Sequence, residues 1–80
     1  MQERTLDHLQ NGESAQVTHV LVQGKIKRRL VEMGITPGTK ITVTKRAPLG
    51  DPIEISLRGY KLTIRRADAE GIRVTGRMGA

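Results

Sequence analysis

The chain has 80 residues, a net charge of +6, no cysteine, tryptophan or phenylalanine, and one tyrosine. A domain of this size buries only about 60% of the surface that its unfolded chain exposes, and without thiols neither a disulfide framework nor a thiolate metal site can reinforce it. The charge raises nucleic acid as a partner, but one tyrosine cannot build the stacking platforms of single-strand binders, and no long basic helix or helix-turn-helix pair is present to enter a major groove, so nucleic acid is disfavoured.

In chain order, a lead-in with Leu6 and Leu9 precedes an Asn11-Gly12 turn, after which Ala15 and Val17 alternate with polar residues as a half-buried strand does. Val20 and Val22 then occupy the opposite parity. That phase change predicts a bulge or bend near Thr18-His19, because an unbroken strand would send the two apolar pairs to opposite faces. From Lys25 to Met33 the apolar residues Ile26, Leu30 and Met33 recur at helical spacing and are expected to face the core. Gly34 can take the left-handed conformation that closes this helix, and Pro37-Gly38 has the chemistry of a tight turn.

A second strand follows around Ile41 and Val43. In Pro48-Leu49-Gly50-Asp51-Pro52 the two prolines disfavour helix in the residues before them, and Gly50-Asp51 adds turn chemistry, with Asp51 expected to cap its own turn. The result is a stiff loop presenting Leu49. Next, a two-residue turn at Arg58-Gly59 places Leu57 opposite Tyr60, Ile55 opposite Leu62 and Ile53 opposite Ile64, which puts every apolar residue of the hairpin on one face. Ala67 to Gly71 reads as one helical or 3₁₀ turn, and Ile72 with Val74 as a last short strand. Five short strands and one interposed helix with single-faced apolar patterning predict a mainly β fold, a small antiparallel barrel. One domain is expected over residues 1–80, ordered from about 5 to 75, with a flexible tail at 76–80. No apolar run approaches the ~18 residues of a membrane span, and Met1-Gln2-Glu3-Arg4-Thr5 lacks the apolar stretch of a signal peptide, so the cytoplasm is the expected location.

Reactive constellations are scarce. Gly34-Ile35-Thr36-Pro37-Gly38-Thr39-Lys40 superficially suggests a phosphate-binding loop, but its glycine and lysine spacing is wrong and it leads from a helix into a strand, the reverse of the order that aims helix amides at a phosphate. His8, His19, Asp51 and Glu54 are scattered rather than clustered as ligands, so neither a metal nor a cofactor is expected. Ser14 and Ser56 read as outward strand positions with no base beside them, and no enzyme activity is expected.

The helix is charged against its own dipole. Lys25, Lys27 and Arg28 occupy the first turn and Glu32 the last, at a cost of about 0.3–1 kcal/mol per exposed charge. Arg28 and Glu32 are spaced to pair, in the less favourable order. A local rule broken in this way points either to an interaction surface, for which the expected residues are Lys25, Lys27, Arg28, Leu49 and Asp51, or equally to a merely solvated basic face.

Taken in order and spacing, Met33-Gly34-Ile35, Pro37-Gly38 and Ala47-Pro48-Leu49-Gly50-Asp51-Pro52 resemble the ferrous-iron transport protein A family, FeoA. Further family-like positions are Gly12, Arg29-Leu30, Gly59-Tyr60, Ala69, Ile72 and Val74. The resemblance runs from about Leu6 to Val74, and Gly34, Pro37, Gly38, Gly50, Pro52 and Gly59 read as its structural turns. It implies an SH3-like five-stranded barrel with a short inserted helix. It also implies an accessory or regulatory role in bacterial ferrous-iron uptake, exerted by binding the FeoB-type membrane transporter with its GTP-binding region, and recruitment to the inner face of the membrane through that partner rather than direct insertion. The alternative is a detached SH3-like module of an iron-dependent transcription repressor, or a small basic nucleic-acid-binding protein.

Overall fold

The structure, a computed structural model, describes residues 3–75. The tail expected to be flexible, residues 76–80, lies outside the described residues. Six strands form one antiparallel sheet in the order β1-β6-β2-β3-β4-β5. They are β1 (Glu3–Thr5), β2 (Ser14–Val20), β3 (Lys40–Arg46), β4 (Ile53–Leu57), β5 (Tyr60–Ile64) and β6 (Ile72–Thr75). Helix α1 (Gly24–Glu32) joins β2 to β3, and the short α2 (Arg66–Ala69) joins β5 to β6.

Five strands were expected from the sequence pattern, and the sixth, which that pattern missed, is β1. It pairs antiparallel with β6, Arg4 opposite Val74, and Glu3-Arg4-Thr5 carries no apolar alternation that would have announced it. A 3₁₀ turn over Leu6–His8 follows, and it drives Leu6 and Leu9 fully into the interior. The Arg46 guanidinium fastens this lead-in to β3 by donating to the carbonyls of Asp7 and Leu9.

The phase change in the first long strand is a real bulge: the β2–β6 register shifts between Val17 and His19. A second shift, between Val43 and Lys45, breaks the β3–β4 ladder. Each extra residue increases local twist, so the sheet coils instead of lying flat. Its inner face is aliphatic. Val17, Ile41, Val43, Ile53, Ile55, Leu57, Ile72 and Val74 are buried in one cluster with Leu6, Leu9, Leu30 and Ile35.

The hairpin register agrees with the expectation at every pair: Leu57 opposite Tyr60, Ile55 opposite Leu62, Ile53 opposite Ile64. Arg58 and Gly59 both have positive φ, 49° and 87°, as a two-residue turn between right-twisted strands requires. Not all of the hairpin's apolar face is covered, however. Tyr60 is 44% exposed and Leu62 only partly buried, because β5 is the end strand of the sheet.

Candidate partner-docking surface

Helix α1 is anchored at one end. Gly34, at φ 99°, closes it: the Ile35 N–H donates to the Leu30 carbonyl at 2.9 Å and the Gly34 N–H to that of Val31 at 3.0 Å, while Leu30 and Ile35 meet in the core. The Tyr60 hydroxyl donates to the Met33 carbonyl, and the buried Thr39 hydroxyl donates to that of Gly34 at 3.1 Å. Thr39 in turn lies in the turn after Pro37-Gly38, which is stitched to β2 by the Gly38 N–H donating to Val17 O and the Val17 N–H donating to Thr39 O. Carbonyls that a helix leaves without internal partners are thereby satisfied by the tips of two other elements.

The opposite end has no such anchor. Gln23 makes no side-chain capping bond, and the first turn holds no acidic residue. Lys25, Lys27, Arg28 and Arg29 are exposed, and among the described residues none of them forms an ion pair. The expected Arg28–Glu32 pair is accordingly not made. Only Leu30 of α1 is buried. Ile26, expected to face the core, is 44% exposed, because the helix is fixed through its last turn and Ile26 lies a full turn before Leu30.

The loop after β3 is built as its prolines suggest. The Gly50 N–H donates to the Ala47 carbonyl at 2.8 Å, the Ala47 N–H donates to the Pro52 carbonyl at 3.1 Å, and the Asp51-Pro52 peptide is cis. Leu49 stands out at 91% exposure. Asp51 does not cap its own turn: its Oδ1 accepts the Arg66 backbone N–H at 2.9 Å, so this carboxylate caps the start of α2. A helix of only four residues gains proportionately from one satisfied amide.

Arg29, Asp51, Pro52, Thr63, Ile64 and Arg65 line one cleft of about 450 Å³ between α1, this loop and the end of β5. A narrower cleft of about 80 Å³ continues from it along α1 past Ile26 and Met33 toward Asp68. Of the residues expected on the docking surface, Asp51 therefore shares a cleft with α1, whereas Lys25, Lys27, Arg28 and Leu49 do not line it. Arg29, Thr63 and Arg65 were not among the residues expected on the docking surface, although Arg29 is a family-like position and Arg65 marks the neighbourhood to which the contact would move if that surface failed. Arg29 belonged to a visible basic run, but its facing toward β5 depends on how the helix is docked.

The scattered histidines and carboxylates have local partners. His8 Nδ1 lies 3.0 Å from the Thr5 hydroxyl, and His19 Nδ1 lies 3.2 Å from that of Thr18. Glu54 accepts from Thr44 Oγ1 at 2.7 Å. Among the described residues no three His, Asp or Glu side chains gather to hold a metal ion. Ser14 Oγ lies 2.6 Å from Thr42 Oγ1, a cross-strand pair on the face away from the core.

The FeoA domain family matches residues 4–76. The curated Fe(2+) transport protein A/Fe(2+) transporter FeoB fusion protein of Porphyromonas gingivalis is 38% identical over 69 residues, which is 86% of this chain and 8% of that protein. The chain thus spans a small fraction of that relative's length. Among solved structures, the FeoA protein from Chlorobium tepidum is similar with a TM-score of 0.89 at 43% identity, over 96% of this chain and 73% of the other. Zinc-complexed FeoA of Stenotrophomonas maltophilia, described as a procaryotic SH3 domain protein, gives a TM-score of 0.80 at 26% identity, over 90% of this chain and 89% of the other. The coiled six-stranded sheet with its inserted helix is accordingly an SH3-like fold.

Proposed function

Because the chain belongs to the FeoA family, a family of ferrous-iron transport, we propose that it is an accessory protein of bacterial ferrous-iron uptake that acts by binding the cytoplasmic, GTP-binding region of a FeoB-type transporter. The observation that carries this reading is the relative in which an FeoA-like segment and the FeoB transporter form one polypeptide. Fusion holds the two at high effective concentration, so that a contact between them forms without strong intrinsic affinity, and we read the separate chains as using the same contact.

The surface supports a binding role rather than a reaction. A helix anchored through its C-terminal end presents cations that form no ion pair among the described residues, and a proline-stiffened loop presents one apolar side chain whose rigidity lowers the entropy lost on association. The protein works in the cytoplasm and reaches the inner face of the membrane through its partner; among the described residues no helix is long and apolar enough to cross a membrane. The test is co-purification of the full chain with the cognate transporter and with its isolated cytoplasmic domain, alongside total nucleic acid. Capture of the cytoplasmic domain is expected. Retention of nucleic acid without the transporter would refute the proposal, as would GTPase turnover that follows this chain through a size-exclusion peak.

A further inference from the structure

Two arginines line the larger cleft, and among the described residues neither has an ion-pair or side-chain hydrogen-bond partner. Arg29 reaches it from α1 and Arg65 from the end of β5. Asp51 and Asp68 lie in the same pair of clefts, yet neither forms an ion pair with Arg29 or Arg65. Asp51 instead has one oxygen committed to the Arg66 amide. Thr63, with a hydroxyl that can donate, lines both clefts with the two arginines, and the clefts also offer Ile26, Met33 and Ile64 as apolar contacts.

We infer that this cleft is the docking site for an acidic peptide segment of a protein partner, whose carboxylate is shared by Arg29 and Arg65 while a neighbouring apolar side chain lies against Ile26 and Met33. The inference rests on the reading of the chain as a binding adaptor and names the chemistry that the adaptor recognises. Guanidinium groups bind carboxylates through paired N–H donors, and two of them converging on one cleft select for negative charge. The +6 net charge of the chain steers such a segment toward it. A second copy of the chain is a poor occupant, because it brings the same excess of positive charge. Nucleic acid would satisfy the arginines but would find aliphatic walls and no aromatic face for its bases.

The experiment titrates the isotope-labelled full chain with a short synthetic peptide of Glu and Leu spaced by Ser, with its Lys-for-Glu counterpart, and with a single-stranded oligonucleotide, at low and high salt. The Glu peptide is expected to shift the Arg29 and Arg65 side-chain signals and the Thr63 and Ile64 amides in a saturable way. Its affinity should fall at least about tenfold in an Arg29→Gln/Arg65→Gln variant that melts like the parent. The Lys peptide should leave those signals in place. Shifts confined to Lys25, Lys27 and Arg28, equal affinity in the double variant, or tighter binding of the oligonucleotide at the same residues would each overturn the inference. Capture of the transporter domain separates the two readings. If the parent and the double variant capture it equally, the cleft assignment fails and the adaptor reading stands. If the parent captures none yet saturates with the Glu peptide, the adaptor reading fails and the cleft chemistry stands.

Discussion

Replacing Ile55 and Leu62 by alanine, one at a time, probes the hairpin at a single register pair. The two residues face one another across β4 and β5, but they are not equivalent: Ile55 is 0% exposed, while Leu62 only packs against the edge of the core. Fully burying an isoleucine side chain is worth about 1.5–3 kcal/mol, and the void left by its truncation raises the total loss to about 2–5 kcal/mol where neighbours cannot collapse. Such collapse is hindered at Ile55, since β4 is flanked by β3 and β5 and Val43 lies directly opposite. At Leu62 part of the side chain already meets water and solvent can enter the space, so the expected loss is about 1–2 kcal/mol. A chain of 80 residues at about 0.05–0.15 kcal/mol per residue holds roughly 4–12 kcal/mol in all, so Ile55→Ala threatens the fold and Leu62→Ala does not. Urea unfolding with a common m value, supported by thermal melts that fall about 4–8 °C per kcal/mol, measures both. A Leu62→Ala loss equal to or larger than that of Ile55→Ala would refute the assignment of β5 to the end of the sheet, and parental stability in both variants would refute the register itself.

Gly34→Ala should cost about 1–2 kcal/mol in thermal or urea unfolding from its left-handed backbone alone, since an added Cβ would meet Tyr60, Leu57 and Arg58 no closer than 3.4 Å. Asp51→Ala removes the acceptor for the Arg66 amide and should cost about 0.5–2 kcal/mol, with Asp51→Asn retaining most of the stability; amide exchange at Arg66 reads the difference directly. The Gln10 N–H bonded to Glu13, and then the Arg4 guanidinium at 2.5 Å, hold the Glu13 carboxyl below its ordinary value near 4.5, against the opposing effect of burial. Glu13 is thus depressed in the folded state and contributes stability that is present above pH about 4.5 and lost as the pH falls through its lower folded value. The gap in melting temperature between the parent and Glu13→Gln should therefore be widest near neutrality and close in acid; a gap independent of pH would contradict it. Reversing Lys27 and Arg28 to Glu should leave folding intact or slightly improved, because the helix dipole then favours the new charges, yet slow association with the transporter's cytoplasmic domain and flatten its salt dependence. Leu49→Ala should mainly speed dissociation, and unchanged binding kinetics in both folded variants would move the contact elsewhere.

What the sequence by itself determined is what neighbouring residues decide among themselves. The end of α1 at Gly34, the turn at Arg58-Gly59 and the register of the hairpin follow from backbone preference and period-two patterning over a few residues, and all three stand in the structure. The bulge at Thr18-His19 was legible for the same reason, as a break in that period. The tertiary structure alone decided β1, whose residues gain a strand's hydrogen bonds only when β6 arrives from the other end of the chain. It also decided that Ile26 stays exposed despite its helical spacing, that Asp51 caps α2 rather than its own turn, and that Arg29 and Arg65 share a cleft. Periodicity states which face of an element is apolar, but not how much of that face a neighbour covers. A side chain's polar partner is likewise fixed only when segments distant in sequence are brought within hydrogen-bonding reach.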